Sequence, residues 1–403
     1  MTTTAAARRN WTGPALLSYG FRPFFLVSGL WAAFAMVYWI LLQTGHAPLP
    51  IAFAPTGWHV HAFVFGYLSA VIAGFLLTAV PNWTGRLPVM GWPLAGLVGL
   101  WILGRGAVMI GASWPALGVA LADLALPVAL VGFLAREIIS GRNWRNLPVL
   151  GLVAMFAMAN ALFHHQAATG PAQDGVGLRL GLGAVLMLIA LVGGRIVPSF
   201  TRNWLAKRHA ARLPVAFNRA DGAVMVLTGA ALLAFVVAPF NTFTAVVCLL
   251  AGAANFWRLS RWQGLQTWSE PLVWVLHAAY AMLALGFLTV GAAALDLLPH
   301  SGARHVWLAG AIGLMTLAVM TRASLGHAGL PLTANRAVAA VYLALIAAIC
   351  ARFLAGLWPA EMWLLHLAGA FWVAAFGGFS AVFWPILTRP KANAKAVSRA
   401  HPS

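Results

Sequence analysis

Twelve apolar stretches, each close to the length of a membrane-crossing helix, occupy most of this 403-residue chain. A helix needs about 20 mostly apolar residues to cross the hydrocarbon core of a bilayer. The stretches are 24–44, 59–80, 92–111, 115–139, 146–168, 177–200, 219–238, 242–260, 271–296, 302–323, 335–356 and 361–387. They predict an all-α fold, a polytopic membrane helical bundle of about twelve transmembrane helices in which residues 1–403 form a single integral-membrane domain.

The scarcity of charged residues excludes the common classes of soluble protein. Apolar residues make up 62% of the chain and charged residues only 8%, whereas soluble domains usually carry about 25% charged residues. A net charge of +18 would ordinarily suggest a nucleic-acid partner. Here the basic residues are spread thinly between apolar stretches, so we expect no nucleic-acid partner and contact with membrane lipid instead.

The distribution of Lys and Arg predicts the orientation of the bundle. Twenty of the 25 basic residues fall on the side of the chain termini, and only Arg179, Arg304 and Arg352 fall on the opposite side. Loops on the cytoplasmic side carry an excess of Lys and Arg. We therefore expect both termini to be cytoplasmic, with residues 1–22 and 389–403 as short cytoplasmic tails.

Histidines are the unusual polar residues of the apolar stretches. Seven of them lie within or at the edge of a stretch: His59, His61, His164, His165, His277, His305 and His366. In the predicted topology all but His277 fall in one layer near the outer surface. Imidazole is a common ligand of haem iron and copper, and polar residues inside membrane spans mark function by default. The layer therefore predicts a metal or haem site, although any single histidine could serve packing alone.

The spacing of these histidines indicates more than one partner. Residues two apart on a helix point to nearly opposite faces, so we do not expect His59 and His61 to hold one atom together unless the helix begins between them. One could be a ligand while the other serves a second centre or a hydrogen-bond role. The same reasoning separates His164 from His165, which lie about 100° apart on a helix. All seven histidines are candidate metal ligands. As cofactor-binding residues we expect His59, His61, His305, His366 and Arg105.

One carboxylate lies unexpectedly deep in a predicted span. Asp123 is about two turns into the fourth stretch. It could hydrogen-bond a ligand histidine, relay protons, or form an ion pair with Arg105 of the preceding stretch. We favour the ion pair, although Arg105 or Arg304 could instead contact haem propionates, because guanidinium groups bind carboxylates well.

Several motifs are specific enough to suggest a family. They are Trp58–His61, Phe21–Phe25, Gly74–Val80, Pro81–Gly85, Gly194–Trp204, Met320–His327 and the stretch around His277. The second, sixth and tenth stretches each end in a polar turn bearing Thr or Ser, which hints at three arcs of four helices. From about Tyr19 to about Pro390, the sequence resembles the NnrS family of polytopic membrane proteins.

This resemblance implies a bacterial inner (cytoplasmic) membrane protein that binds or detoxifies nitric oxide in a nitrosative-stress response or in denitrification. The family is associated with haem and copper, so we expect haem b, with copper as a second candidate. The sequence departs from the expected motifs at Ala62, where we expect Glu, and at Ala328 and Leu330, where we expect Thr and Arg. These departures put in doubt a proton-delivering role at position 62 and an anion contact at position 330.

The chemistry itself stays open at the level of the sequence. One hypothesis is that the protein is a haem-dependent oxidoreductase, such as a nitric oxide reductase. A copper- or proton-linked transporter is the first alternative, although a transport path usually has polar groups at mid-membrane. A sensor or assembly factor that binds haem or copper without turnover is the other alternative. The electron donor and any homo-oligomer formation also stay open.

Overall fold

A computed structural model of the protein describes residues 11–390. It confirms the all-α fold, with twelve helices that are long and apolar enough to cross a membrane in that part of the chain. In chain order, α1 to α12 are Phe21–Gln43, Pro55–Thr84, Trp92–Ser113, Ala116–Ser140, Trp144–Thr169, Val176–Ala206, Arg219–Val237, Thr242–Ser260, Pro271–Ala293, His300–Ala328, Arg336–Leu357 and Met362–Thr388. The chain is therefore a multi-pass membrane protein.

Short polar residues begin several helices where the apolar pattern starts. The Asn218 side chain accepts from the backbone N–H of Asp221, and the Asp221 carboxylate accepts from the backbone N–H of Asn218 at the start of α7. Asn241 and Asn335 cap α8 and α11 in a similar way, each accepting from a backbone N–H three residues later. These caps satisfy backbone donors that have no partner inside the helix.

The three longest helices lie at the centre of the bundle. Helices α2, α6 and α10 have 30, 31 and 29 residues, and they contact one another through their middle segments. Each contains a π-helical segment: Ala62–Tyr67 in α2, Ile189–Gly193 in α6 and Val306–Leu314 in α10. Such segments are rare and are frequent at functional sites. Their spacing of four helices matches the three arcs that the polar turns suggest.

The two faces of the bundle can be defined without reference to the cell. An even number of helices brings the start of α1 and the end of α12 to one face, which we call the terminal face. There Arg22 Nη1 donates to the carbonyl oxygens of Leu387 and Arg389 at 3.1 and 2.8 Å. We call the opposite face, formed by loops that include 44–54 and 170–175, the histidine face. That the terminal face lies on the cytoplasmic side of the membrane stays a prediction.

Candidate functional site

Asp123 of α4 lies at the centre of a buried polar cluster near the histidine face. Its Oδ2 atom is 2.9 Å from His61 Nε2 and 3.0 Å from His164 Nε2. Asn160 Nδ2 donates to the same oxygen at 2.8 Å, and Arg105 Nη2 donates to the other oxygen, Oδ1. We call these five residues the Asp123 cluster. The sequence-based ion pair between Asp123 and Arg105 is present, and the same carboxylate also contacts two of the predicted histidines.

Four consecutive helices, α2 to α5, supply the Asp123 cluster. Asn160 and His164 lie four residues apart, which puts them on the same face of α5. Gly104 lets α3 approach α4, because a Cβ atom there would lie 2.9 Å from Asp123 Cα. Gly66, in the π-helical segment of α2, leaves space for the Arg105 guanidinium, which a Cβ atom at that position would meet. Close helix packing thus determines where the charges lie.

The Asp123 cluster could hold a metal ion. One ligand atom from each of His61, Asp123 and His164 lies within 4.8 Å of the others. The three residues are only 0%, 3% and 6% exposed. The rings of Phe53 and Phe65 lie 4.9 and 5.4 Å from the His61 ring. Neutral imidazole and carboxylate are common ligands of divalent transition metals, and the aromatic surroundings keep the cluster dry.

A separate cavity of about 370 Å³ lies beside the cluster, on the other side of α2. Residues of α1, α2, α6, α10, α11 and α12 line it, and three predicted histidines, His59, His305 and His366, are among them. Tyr67 also lines it, and the Tyr67 hydroxyl is 2.8 Å from Thr316 Oγ1. We call this space the histidine cavity. Its volume lies in the range of small-molecule and cofactor sites.

The histidine cavity contains groups that could hold a haem. His305 Nδ1 donates to the backbone carbonyl of Ser301 at 2.7 Å, which leaves Nε2 as the nitrogen with a free lone pair, as in most metal-binding histidines. The His59 ring stacks on Trp39 with ring centroids 4.2 Å apart, and its Nδ1 is buried without a partner among residues 11–390. Arg304 and Arg352 line the same cavity and could bind propionate carboxylates.

The comparison with known families decides the identity of the chain. A family model described as NnrS protein matches residues 15–391, which is nearly the whole chain. The chain belongs to the NnrS family. No curated protein and no solved structure matches it.

In this NnrS-family chain the candidate histidines divide between two sites. His61 and His164 belong to the Asp123 cluster, whereas His59, His305 and His366 line the histidine cavity. The alternation expected for positions 59 and 61 is therefore what the structure has. His366 is an exposed residue at the edge of the cavity.

Three other predicted site residues do not line the histidine cavity. His165 is exposed on α5, on a different side from His164. His277 is on α9, where its Nε2 is 2.7 Å from Thr201 Oγ1 of α6. Arg105 belongs to the Asp123 cluster and does not line the histidine cavity.

Asn160 and Arg352 are not predicted from the sequence as site residues, but Asn160 belongs to the Asp123 cluster and Arg352 lines the histidine cavity. The signal for Asn160 is its position one helical turn before His164 in an otherwise apolar stretch. The signal for Arg352 is its position near the histidine face, where basic residues are rare. Arg352 Nη2 donates to Ser301 Oγ at 2.7 Å, and the backbone carbonyl of the same residue accepts from His305 Nδ1.

The departures from the family motifs fall on different parts of the structure. Gly329 ends α10 in the left-handed conformation, with φ of 77°, so Ala328 and Leu330 lie at the terminal face, away from both histidine sites. Ala62 begins the π-helical segment of α2, and its carbonyl oxygen accepts from Trp31 Nε1 at 2.9 Å. Only position 62 therefore lies next to a candidate metal ligand.

Proposed function

We propose that this protein binds haem b in the histidine cavity and binds nitric oxide there, in a bacterial nitrosative-stress response or in denitrification. Membership of the NnrS family supports the nitric oxide part. The composition of the histidine cavity supports the haem part. We further propose that the chain lies in the inner membrane with its histidine face towards the periplasm.

The observation that carries the haem proposal is the hydrogen bond from His305 Nδ1 to Ser301 O. It fixes the tautomer that leaves Nε2 unprotonated, and the ring lines the cavity. A bound haem would supply an iron atom that binds nitric oxide. His305 is the residue proposed to hold the haem iron, and His59, whose ring stacks on Trp39, is a second residue that could do so.

The remaining groups of the cavity suit the rest of the macrocycle. Trp39, Phe63 and Trp372 line the cavity with apolar rings, which would contact the faces of a flat apolar group. Arg352 and Arg304 supply positive charge near the histidine face. Arg304 Nη1 also donates to the exposed Asp174 at 2.8 Å, so a propionate would compete with a carboxylate that is accessible to water.

Absorption spectroscopy of the purified protein tests the proposal. We expect a Soret band in the wild type and a spectral change when nitric oxide is added to the reduced protein. His305→Ala should lose most of the bound haem because it removes the proposed iron ligand. His165→Ala is the matched control, since this exposed residue contributes to neither site, and it should keep the full haem content.

A colourless wild-type protein purified from haem-replete cells would contradict the proposal. Equal haem content in His305→Ala and His165→Ala would contradict the ligand assignment. Nitrous oxide formation separates the proposed chemistries, because reduction of two nitric oxide molecules to nitrous oxide and water consumes two electrons and two protons. Product formed with a chemical reductant would identify a reductase, and binding without product would identify a scavenger or sensor.

A further inference from the structure

We propose that the Asp123 cluster is a mononuclear non-haem iron(II) site, separate from the histidine cavity. The site consists of His61 Nε2, His164 Nε2 and Asp123 Oδ2. The proposal goes beyond haem binding and does not depend on it, because the two sites share no side chain.

The donor set is the first argument for iron(II). Two imidazole nitrogens and one carboxylate oxygen, with further positions open, form the combination that is typical of non-haem iron(II). Copper(I) instead favours the soft sulfur of Cys and Met. Neither cysteine belongs to the cluster: Cys248 is on α8 and Cys350 on α11. Copper(I) therefore fits this donor set less well than iron(II) does.

The distances are the second argument. The Asp123 carboxylate oxygen is 2.9 and 3.0 Å from the two imidazole nitrogens. Ligands about 2.1 Å from one metal and at right angles to each other lie about 3.0 Å apart. The distances from Asp123 Oδ2 to the two nitrogens are thus compatible with ligands of one ion, and all three ligand atoms lie within 4.8 Å of one another.

The supporting contacts are the third argument. Arg105 donates to Asp123 Oδ1, so a metal bound by Oδ2 would leave that ion pair in place and would replace the contacts of Oδ2 with the two imidazoles. Asn160 holds the cluster together, since its Nδ2 donates to Asp123 Oδ2 at 2.8 Å and its Oδ1 lies 3.1 Å from His61 Nε2. Such supporting residues orient ligands, and their replacement usually costs about 10–100-fold in metal affinity.

Phe53 closes the cluster on the side of the histidine face. It lies in the loop before α2, and its ring is 4.9 Å from the His61 ring and 5.3 Å from the His164 ring. A metal entering from that side would have to displace this ring. We therefore expect Phe53→Ala to speed the removal of iron by a chelator without changing which metal is bound.

The experiment compares total iron with haem in the same samples, purified without oxygen from iron-replete cells. The wild type should contain about one iron per chain beyond its haem iron. His164→Ala and Asp123→Asn should lose at least about tenfold of this non-haem iron and keep their haem. His305→Ala should lose haem and keep the non-haem iron. His165→Ala, which changes the neighbouring exposed histidine, should keep both.

The outcomes separate this proposal from the haem proposal. Non-haem iron in a protein without haem would support the iron site and contradict the haem site. Zinc, manganese or copper at the cluster of the wild type, or no metal there, would contradict the iron site. Should the Asp123 variant fail to fold, the iron content of His164→Ala and the chelator kinetics of Phe53→Ala still test the iron site. Unchanged iron content in His164→Ala together with unchanged chelator kinetics in Phe53→Ala would overturn the proposal.

Discussion

Among single residues, Asp123 is unusual because it is a buried acidic residue inside a span, paired with Arg105. The chain has only seven Asp and Glu residues, and the Asp123 side chain is 1% exposed. Taking a charge out of water costs several kcal/mol unless a partner compensates it. The spacing of residues 105 and 123 allowed the pair to be predicted. A hydrogen bond between this carboxylate and a histidine was an open alternative, but which histidines contact it could not be predicted, because the rotation of α2 and α5 against α4 is a property of tertiary packing.

A double-mutant cycle on Asp123 and Arg105 should reveal strong coupling. Replacing either residue alone, by Asp123→Leu or Arg105→Met, should destabilise the protein by about 3–5 kcal/mol because it leaves one buried charge without its partner. The double variant should cost clearly less than the sum of the two single changes. Thermal or denaturant unfolding in detergent measures all three variants.

The exposed pair of Arg304 and Asp174 is the control for that cycle. Its Asp side chain is 61% exposed, and exposed pairs contribute about 0–1 kcal/mol. Replacing either partner should therefore change stability little. Additive effects at Asp123 and Arg105, similar to those at the exposed pair, would show that the buried charges do not depend on each other.

At the scale of helices, the sequence predicts the presence of each helix better than it predicts the length of that helix. All twelve helices are confirmed because apolar runs of sufficient length are a local property of the chain. The predicted stretches 59–80, 177–200 and 302–323 were too short, since α2, α6 and α10 continue through polar segments at their ends. The π-helical segments in these same helices could not be predicted, because they arise where helices pack around side chains from other parts of the chain.

The crossing of α10 and α11 should control the shape of the histidine cavity. Gly302 and Gly356 meet there, and a Cβ atom on Gly356 would lie 2.5 Å from Gly302 Cα. Because backbone atoms cannot move aside cheaply, Gly356→Ala should separate the helices and destabilise the protein by about 1–3 kcal/mol. We also expect weaker haem retention, since His305 and Arg352 flank this crossing, and unchanged metal content of the Asp123 cluster.

Unfolding measurements and haem titration test whether the close approach of α10 and α11 shapes the histidine cavity. Gly377→Ala in α12 is the matched control, because a Cβ atom there would meet nothing within 4 Å. It should leave stability and haem retention unchanged or slightly improved, since Ala favours a helix over Gly. Equal behaviour of the two variants would show that the close approach of α10 and α11 does not shape the cavity.

At the scale of the whole molecule, the two faces of the bundle carry different groups of residues. Both candidate sites lie towards the histidine face, whereas the start of α1, the end of α12 and most basic residues among residues 11–390 lie towards the terminal face. Arg8, Arg9, Lys391, Lys395 and Arg399, which contribute to the predicted orientation, lie outside the described residues. The positive-inside rule then predicts that both sites open towards the side of the membrane opposite the cytoplasm.

Cysteine labelling in intact bacterial cells tests that orientation. In a background in which Cys248 and Cys350 are replaced, Thr44→Cys introduces a thiol on the exposed loop 44–54 of the histidine face, and Lys207→Cys introduces one on the exposed loop 207–218 of the terminal face. A membrane-impermeant maleimide should label position 44 in cells with a permeable outer membrane, and position 207 only after the inner membrane is opened. The reverse labelling pattern would mean that the bundle has the opposite orientation in the membrane. Nitric oxide and metal ions would then reach both histidine sites from the cytoplasm. The predicted pattern would instead mean that cofactors and ligand approach from the periplasm, through the loops that carry Phe53 and Asp174.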